Sequence, residues 1–243
     1  MSSKKIWLVT GASRGIGLAV AERALAAGDQ VALLARGADV MAHAERLGDA
    51  CMGCQADVGN REQVLQAVAL VLARWGRIDI VVNNAGAHRG GKVDRLALED
   101  WQTVIDTNLT GALNVISATA QQMASGSAIV NIGAVVGFRG FPGDSAYAAS
   151  KAGIAGLTRA LAIELAPRGI GVNLVIPGLV LTEMTQALSE KALESMRRKI
   201  PMARFGEPDE IAEVVEWVAR SRYMTGAFVP ADGGLMSSFG VVG

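Results

Sequence analysis

The sequence is poor in cysteine, histidine and aromatic residues, and the first two scarcities bear on metal and redox chemistry. Only two cysteines and two histidines occur among 243 residues, and they are not spaced as the four ligands of a zinc site. The cysteines, Cys51 and Cys54, fall on an expected strand, whereas a redox pair normally sits at a helix start. We therefore interpret them as ordinary thiols in a reducing compartment, and we predict no metal site.

Net charge and long apolar runs are also lacking. The 23 basic side chains balance the 23 acidic ones, so no overall field favours nucleic acid or an anionic membrane as a partner. The tight basic cluster at 197–199 is interpreted as a solvated helix face. No apolar stretch reaches the ~18–20 residues that cross a bilayer, and no signal-peptide pattern begins the chain. We expect a cytoplasmic protein that binds neither nucleic acid nor membrane.

The sequence is rich in glycine and in short apolar runs that alternate with helical segments. Hydrophobic residues make up 51% of the chain and glycine fills 29 positions, which is typical of parallel strands buried beneath helices. This alternation predicts an α/β fold in one domain, residues 1–243: a Rossmann-type, doubly wound, seven-stranded parallel sheet flanked by helices in three α/β/α layers. Strands are predicted near residues 6–9, 30–35, 50–55, 79–83, 127–132, 170–176 and 227–230. Pro208 is expected in the first turn of a helix over 208–220.

A glycine-rich loop follows the first predicted strand. Residues 10–17 read Thr-Gly-Ala-Ser-Arg-Gly-Ile-Gly, and a helical pattern and a second apolar run come next. Glycine at these positions lets the backbone approach a pyrophosphate that lies over the helix N-terminus. We therefore predict that this loop binds a dinucleotide. The residues expected to contact it are Gly11, Ser13, Arg14, Gly15, Ile16 and Gly17.

The end of the second strand indicates which nicotinamide cofactor is preferred. An acidic residue there would hold the ribose 2′-hydroxyl of NAD, but Ala35 ends the strand and Arg36 follows it. Arg36 and Arg14 suit a 2′-phosphate, which an acid would repel. Asp39 is close enough in sequence to be considered, but we interpret it as the cap of a helix over 40–47. The pattern favours NADP(H).

Tyr147 and Lys151 form the most informative pair in the chain. Four residues apart on a helix, the two side chains share one face. A nearby ammonium favours the phenolate, so we expect Lys151 to lower the pKa of Tyr147 from its ordinary value near ~10. Such a tyrosine gives a proton to a carbonyl oxygen, or takes one from an alcohol, near neutral pH.

Several features occur in a fixed order along the chain and together resemble one family. They are the glycine loop at 10–17, Asn-Asn-Ala-Gly at 83–86, Asn108, Tyr147 and Lys151. This combination resembles the short-chain dehydrogenase/reductase family in its compact form, over nearly the whole chain. Further matches are Asp57-Val58 after the third strand, Pro177-Gly178 after the sixth, and Asp-Gly-Gly at 232–234.

The resemblance implies a role for each matching position. Tyr147 would be the catalytic proton donor and would also line the cofactor site. Lys151 would bind the nicotinamide ribose, and Asn108 would anchor a water in a proton relay. The other residues implied to contact the cofactor are Asp57 and Val58 at the adenine, Asn84, Ala85 and Gly86 in the cleft, and Pro177, Gly178, Val180 and Thr182 at the nicotinamide.

One position departs from the family pattern. The catalytic serine expected thirteen residues before Tyr147 is replaced by Ala134, and Ser145 does not lie at that place. Alanine cannot donate a hydrogen bond to a substrate carbonyl, and losing one such donor typically costs about 10²–10³ in rate. Because the rest of the pattern is whole, a deliberate serine-to-alanine change explains the contrast best. We expect an active site that is complete except for this donor, and a low activity.

Within the family, the chain resembles 3-oxoacyl-(acyl-carrier-protein) reductases, through residues 11–17 and 132–137. This implies NADPH-dependent reduction of a ketone, such as an acyl-thioester carbonyl, to a secondary alcohol. Arg168 is a candidate contact for the acidic carrier, but the segment 121–127 carries no cation, which weakens that assignment. A carbonyl reductase or alcohol dehydrogenase for small molecules remains open, and so does a cofactor-binding protein with little turnover.

Two further expectations concern the substrate and the assembly. Segment 181–205 follows Pro177-Gly178 and is helical in composition, so a mobile lid over the substrate is one interpretation and a helix packed on the core is the other. The helix 147–166 carries many small residues, which let helices approach closely but also suit packing on a sheet. The family resemblance implies a homotetramer or a homodimer.

Overall fold

Residues 4–181 and 190–238 are described by the structure, a computed structural model, and seven strands within them form one parallel sheet. The strands are β1 (Ile6–Thr10), β2 (Gln30–Ala35), β3 (Cys51–Gln55), β4 (Ile80–Asn83), β5 (Ala128–Ile132), β6 (Gly171–Pro177) and β7 (Phe228–Ala231). Their order is β3-β2-β1-β4-β5-β6-β7, and each neighbouring pair is parallel. The order reverses direction between β1 and β4, as in other doubly wound sheets. The predicted sheet is confirmed.

The apolar runs form strands because both faces of the sheet are covered. In β1, Trp7 and Val9 point into one hydrophobic cluster, whereas Ile6 and Leu8 point into the other. All five residues of this strand are buried. A continuous apolar run is what a strand buried on both faces requires. The three-layer prediction is therefore confirmed.

Eight α-helices lie in the described part of the chain. They are α1 (Gly15–Ala26), α2 (Asp39–Leu47), α3 (Arg61–Trp75), α4 (Leu98–Ile105), α5 (Gly111–Thr119), α6 (Ser145–Leu165), α7 (Glu190–Arg197) and α8 (Pro208–Arg220). Helices α1, α2 and α8 contribute to the cluster on one face of the sheet, and α3, α5 and α6 contribute to the cluster on the other. A π-helical turn, Asp106–Thr110, joins α4 to α5.

Local chemistry accounts for several helix starts. Asn60 accepts hydrogen bonds from the backbone of Glu62 at 3.1 Å and Gln63 at 3.2 Å, which caps α3. Pro208 is the first residue of α8, as predicted. The prediction for Asp39 is wrong: Asp39 is itself the first residue of α2 and makes no capping hydrogen bond. Its charge still lies in the first turn, where the helix dipole favours an acid.

The two cysteines and the basic cluster at 197–199 make ordinary structural contacts. Cys51 and Cys54 are free, buried thiols on β3, and burial raises the pKa of each to about 11, which keeps them un-ionised and poorly reactive. Arg197 and Arg198 both pair with Glu194 on the exposed side of α7. Among residues 4–181 and 190–238, no helix is long and apolar enough to span a membrane.

Candidate active site

The carboxyl ends of three adjacent strands bring the predicted site segments together. Strand β4 lies between β1 and β5, so the loops that follow these strands meet at one edge of the sheet. The glycine loop follows β1, the segment 84–91 follows β4, and Ala134 lies just beyond β5. Doubly wound sheets bind ligands at this edge, beside the point where the strand order reverses.

The glycine loop has the backbone geometry that a phosphate site needs. Gly11 and Gly15 have φ values of +63° and +55°, a region that side chains rarely tolerate. A Cβ at Gly17 would lie 2.4 Å from the carbonyl oxygen of Gly11, so the helix approaches the loop closely only because that residue is glycine. Arg14 is the N-cap of α1 and supplies no side-chain capping bond. The first amides of α1 therefore suit the pyrophosphate of a dinucleotide.

The segment after β4 is fastened to this loop by hydrogen bonds. The Asn84 side chain donates to the carbonyl oxygens of Thr10 at 3.0 Å and Gly11 at 3.1 Å. In return, Thr10 Oγ1 accepts from the backbone of Asn84 and of Ala85, both at 3.0 Å. A Cβ at Gly11 would lie 2.8 Å from Ala85 Cα. The two cofactor-binding segments predicted from sequence thus form one rigid wall.

Tyr147 and Lys151 lie on consecutive turns of α6, at the end of the helix that faces this wall. Lys151 is 4% exposed, and its Nζ donates a hydrogen bond to the carbonyl oxygen of Ile132 at 2.8 Å. The same Nζ lies 5.6 Å from the centroid of the Tyr147 ring. A Cβ at Gly86 would lie 4.0 Å from Nζ, which places the Asn-Asn-Ala-Gly segment beside the ammonium. The shared face predicted from the four-residue spacing is present.

The pKa of Tyr147 differs from the sequence prediction. Burial, and then the charge of Asp144, raise the pKa of Tyr147 to about 12. Burial also lowers the pKa of Lys151 to about 8. The predicted lowering of the tyrosine pKa by Lys151 is therefore wrong. Loss of hydration opposes both charges here, and Lys151 is directed toward the Ile132 carbonyl.

Asn108 lies in the π-helical turn and connects three parts of the site. Its Nδ2 donates to the carbonyl oxygen of Ala87 and to Ser150 Oγ, both at 3.0 Å, and its Oδ1 accepts from Ala87 N at 2.7 Å. Ser150 Oγ in turn donates to the Tyr147 carbonyl at 2.8 Å. Both amide hydrogens of Asn108 and its side-chain oxygen thus have protein partners. Its position holds the loop after β4 against α6, and π-helical turns often mark functional sites.

His88 and Asp144 are site residues that sequence reasoning missed. His88 Nε2 lies 2.9 Å from Asp144 Oδ1, and the imidazole meets the Tyr147 ring edge-on, with 5.1 Å between the ring centroids. The sequence signals were weak, because His88 follows the Asn-Asn-Ala-Gly segment by only two residues and Asp144 precedes Tyr147 by three. Neither spacing indicates that His88 and Asp144 interact, because only the folded sheet brings their two loops together.

Ala134 occupies the place predicted for a catalytic serine. Its backbone is extended, with φ −162° and ψ 153°, a conformation that serine also adopts without strain. The residue is half-buried at the start of a short 3₁₀ turn, Val135–Gly137. Ser145, the first residue of α6, is exposed.

The two arginines of the predicted 2′-phosphate site lie at the ends of adjacent strands. Arg14 follows β1 and is exposed, and Arg36 follows β2 with a side chain that is 61% exposed. Arg36 Nη1 is 4.0 Å from an oxygen of Asp57. Val58 is 3% exposed and packs in the core, where its carbonyl accepts from Asn114 at 2.9 Å. A contact of Val58 with adenine has to come from its backbone.

The segment after β6 is built into the sheet edge. Gly178 N donates to the carbonyl oxygen of Ala231 at 2.9 Å, and a Cβ at Gly178 would lie 2.7 Å from Asp232 Cα. Pro177 is buried as the last residue of β6, and Val180 is 6% exposed within the core. The side chains of Pro177 and Val180 therefore pack in the core at the end of β6. Thr182, predicted near the nicotinamide, lies outside the described residues.

Arg168, the candidate carrier contact, does not face Tyr147 of the same chain. It follows α6 at the end opposite Tyr147, and 21 helical residues span about 30 Å. Its guanidinium donates to the carbonyl oxygens of Ala120 at 2.7 Å and Met123 at 3.0 Å. Within one chain, Arg168 therefore binds backbone carbonyl groups of the segment that follows α5.

Known proteins are similar to this chain in sequence and in fold. A family model described as Enoyl-(Acyl carrier protein) reductase matches residues 11–236. The 3-oxoacyl-[acyl-carrier-protein] reductase FabG of Staphylococcus aureus is 40% identical over 244 residues, which cover 97% of this chain and 99% of the relative.

Two solved structures match almost the whole chain. A blue fluorescent protein from a metagenomic library, in complex with NADPH, is 35% identical with a TM-score of 0.90, covering 95% of this chain and 97% of that one. A short-chain dehydrogenase/reductase (glucose/ribitol dehydrogenase) from Brucella melitensis is 30% identical with a TM-score of 0.91, covering 95% and 96%. This chain belongs to the short-chain dehydrogenase/reductase family of oxidoreductases.

Proposed function

We propose that this chain is an NADPH-dependent oxidoreductase that reduces a ketone, a 3-oxoacyl thioester or a similar compound, to a secondary alcohol. The observation that carries the proposal is the convergence of Tyr147, Lys151 and Asn108 beside the glycine loop, at the carboxyl edge of the sheet. The name of the Staphylococcus aureus relative supports the 3-oxoacyl substrate class. The NADPH complex of a 35% identical protein supports the cofactor.

Tyr147 acts as the proton donor in this proposal. A pKa raised to about 12 keeps its hydroxyl protonated at neutral pH, as a donor to a carbonyl requires. NADPH held by these residues would supply the hydride. The Lys151 ammonium, close to the ring, favours the negative charge that the phenol oxygen acquires as its proton leaves. Asn108, which binds Ala87 and Ser150 beside the tyrosine, is proposed to anchor a water of the proton relay.

The proposal assigns each part of the cofactor to a set of residues. The α1 amides and glycine loop take the pyrophosphate, Arg14 and Arg36 take the 2′-phosphate, and Asp57 and the Val58 backbone face the adenine. Lys151 is proposed to bind the nicotinamide ribose, and Asn84, Ala85 and Gly86 to line the cleft. The proposed contacts of the nicotinamide are Pro177, Gly178, Val180 and Thr182.

The cofactor preference can be tested at Arg36. Replacing Arg36 by aspartate should weaken NADPH binding by about 10–10² fold, because an acid repels the 2′-phosphate that the guanidinium attracts. NADH binding should change little, so the preference narrows or reverses. Fluorescence titrations of both cofactors measure this. Arg46→Asp at the far end of α2 makes the same change in charge and is the matched control. NADH binding as tightly as NADPH in the parent protein would contradict the assignment.

Ala134 leaves two alternatives to be separated. The enzyme proposal expects measurable but low turnover, because the donor from the end of β5 is absent. A cofactor-binding protein would bind NADPH and show no ketone reduction even after Ala134→Ser. A panel of 3-oxoacyl thioesters, simple ketones and an enoyl thioester, assayed by NADPH consumption, separates these classes and also tests the enoyl reduction named by the family model.

We also propose that the chain is cytoplasmic, that segment 181–205 covers the substrate, and that the protein assembles as a homotetramer or homodimer. The C-terminal part of that segment is held against the fold, since Met202 N donates to the Gly233 carbonyl at 3.1 Å and Ile200 is buried.

An exposed stripe of small residues on α6 supports assembly by close helix packing. It consists of Ala149, Ala152, Gly156 and Ala160, and it continues to Ile163, which is 77% exposed.

Assembly through α6 can be tested at Gly156. A Cβ there would meet no atom within 4 Å, so Gly156→Arg leaves the single chain unstrained but blocks close approach of a second helix. Light scattering should then find a smaller species than the parent. Glu45→Arg, at an exposed position of α2 on the other face of the sheet, is the control. An unchanged molar mass for Gly156→Arg would exclude this face as the interface.

A further inference from the structure

We propose that Asp144 is a positioning residue whose negative charge keeps the Tyr147 hydroxyl protonated, which suits the site to ketone reduction rather than to alcohol oxidation. The inference rests on the proposed function, since it concerns the proton donor of that site. Reduction needs a phenol that gives its proton to the carbonyl oxygen, whereas oxidation needs a phenolate that takes the proton of an alcohol. A carboxylate beside the phenol disfavours the phenolate and so opposes the second direction.

Asp144 lies beside Tyr147 because both belong to the first turn of α6. Asp144 is the N-cap and Tyr147 is the third residue of the helix, and side chains three positions apart share one face. An N-cap aspartate normally accepts a hydrogen bond from the second or third helical amide. The side chain of Asp144 makes no such bond, so its carboxylate does not serve to cap the helix.

The partner of this carboxylate is His88, on the loop that follows β4. Nε2 of His88 lies 2.9 Å from Asp144 Oδ1, and a Cβ at Gly90 would lie 3.5 Å from the same oxygen. The imidazole also meets the Tyr147 ring edge-on, with 5.1 Å between the ring centroids. A neutral imidazole that donates from Nε2 is sufficient for the contact with Asp144. Carboxylate, imidazole and phenol therefore form one cluster at the start of α6.

The loop that carries His88 is fixed on both sides of the residue. Before His88, Asn108 binds both backbone groups of Ala87, at 2.7 Å and 3.0 Å. After it, Gly91 N donates to the Gly143 carbonyl at 2.8 Å, and Gly143 directly precedes Asp144. These bonds hold the imidazole and the carboxylate in a constant position beside the phenol.

The groups that face Tyr147 act on its ionisation in opposite directions. Burial first, and then the charge of Asp144, raise the pKa of Tyr147 to about 12. The Lys151 ammonium, 5.6 Å from the ring centroid, and the positive end of the α6 dipole favour the phenolate instead. His88, from the loop after β4, is the other titratable side chain against the ring. Removing the charge of Asp144 without changing its shape should therefore make the phenolate easier to form.

Asp144→Asn tests this inference, because asparagine keeps an oxygen for His88 and removes the charge. The chain has two tyrosines, so in a Tyr223→Phe background the ultraviolet absorbance of tyrosinate reports Tyr147 alone. In an alkaline titration, we expect Asp144→Asn to raise the phenolate fraction at a given pH by about 3–10-fold. Circular dichroism at each pH defines the range in which the chain stays folded.

The direction of the reaction gives a second readout. In the Ala134→Ser protein, Asp144→Asn should allow NADP⁺-dependent oxidation of a 3-hydroxyacyl thioester to reach half of its maximal kcat at a lower pH. The reason is that the phenolate, which takes the proton of the alcohol, forms at a lower pH once the carboxylate charge is gone. A purely structural role of Asp144 would lower kcat in both directions and leave this pH unchanged.

Two further variants serve as controls. Asp94→Asn removes an exposed carboxylate that pairs with Arg95 and should change neither readout. In a His88→Gln protein, Asp144→Asn should shift tyrosinate formation as it does in the parent, because glutamine donates to the carboxylate and carries no titratable charge.

The contradicting results are distinct. Tyrosinate that forms at the same pH with and without the Asp144 charge, or in neither protein before unfolding, overturns the inference. So does a shift that is lost in the His88→Gln protein. The tyrosinate titration needs no substrate. No turnover in any variant, with the tyrosinate shift present, therefore overturns the proposed function and leaves the charge effect of Asp144 in place.

Discussion

Replacing Tyr147 by phenylalanine in the Ala134→Ser protein should lower kcat for a 3-oxoacyl thioester by about 10³-fold or more, because the proton donor is lost and no neighbouring group replaces it. The NADPH dissociation constant should change little, since the substitution removes only a hydroxyl that faces the carbonyl. Stopped-flow measurement of NADPH oxidation, with a separate binding titration, distinguishes the two effects.

Tyr223 is the matched control for this experiment. It is the chain's other tyrosine and is fully exposed on the surface, so Tyr223→Phe should leave both kcat and the NADPH dissociation constant unchanged. A Tyr147→Phe protein that keeps more than about a tenth of its kcat would require another proton donor.

The same experiment extends to Lys151, which should act with Tyr147 as a unit. Lys151→Ala, or Lys151→Met to preserve volume, removes the ammonium near the phenol and weakens binding of the ribose. Combined with Tyr147→Phe, it should add little further loss, because the ammonium assists a proton transfer that no longer occurs. Fully additive losses in kcat/KM across the four proteins would mean that the two residues act separately.

The second large effect is a gain. Ala134→Ser should raise kcat by about 10²-fold, because a preorganised donor to the developing oxyanion is restored. The extended backbone at Ala134 accepts serine without strain, so the fold should not change. NADPH affinity should stay constant, since the hydroxyl acts on the carbonyl.

The control for this gain is Ser145, the exposed serine closest in sequence to Tyr147. Ser145→Ala in the Ala134→Ser protein should leave kcat unchanged, which ties the gain to the position at the end of β5. If kcat does not rise for any ketone of the panel after Ala134→Ser, the missing hydroxyl is not the only defect of the site.

The sheet could be predicted from sequence because its central strands are buried on both faces. Runs such as Ile-Trp-Leu-Val in β1 have no helical periodicity and are too short for a helix, which favours a strand. The start of α2 was less well specified. Asp39 can cap a helix or occupy its first turn, and sequence alone does not decide between these positions one residue apart.

The site could be predicted only where its residues are close in sequence or belong to the family pattern. Tyr147 and Lys151 share a helical face because of a fixed spacing, and the structure keeps it. The His88–Asp144 pair joins loops 56 residues apart, so no local pattern announces it. The pKa of Tyr147 also depends on burial and on Asp144, and the spacing of Tyr147 and Lys151 reveals neither influence. The adenine contact of Val58 was predicted from the motif, but tertiary packing buries the side chain of this residue.

The proposed function is tested most directly by following the hydride into the product. The Ala134→Ser protein is incubated with a 3-oxoacyl thioester and NADPH that carries deuterium at the transferring position, and the product is analysed by mass spectrometry. We expect a 3-hydroxyacyl thioester with one deuterium on the carbinol carbon, formed far more slowly after Tyr147→Phe. Absence of that labelled alcohol, or deuterium incorporated only by reduction of an enoyl thioester, would contradict it.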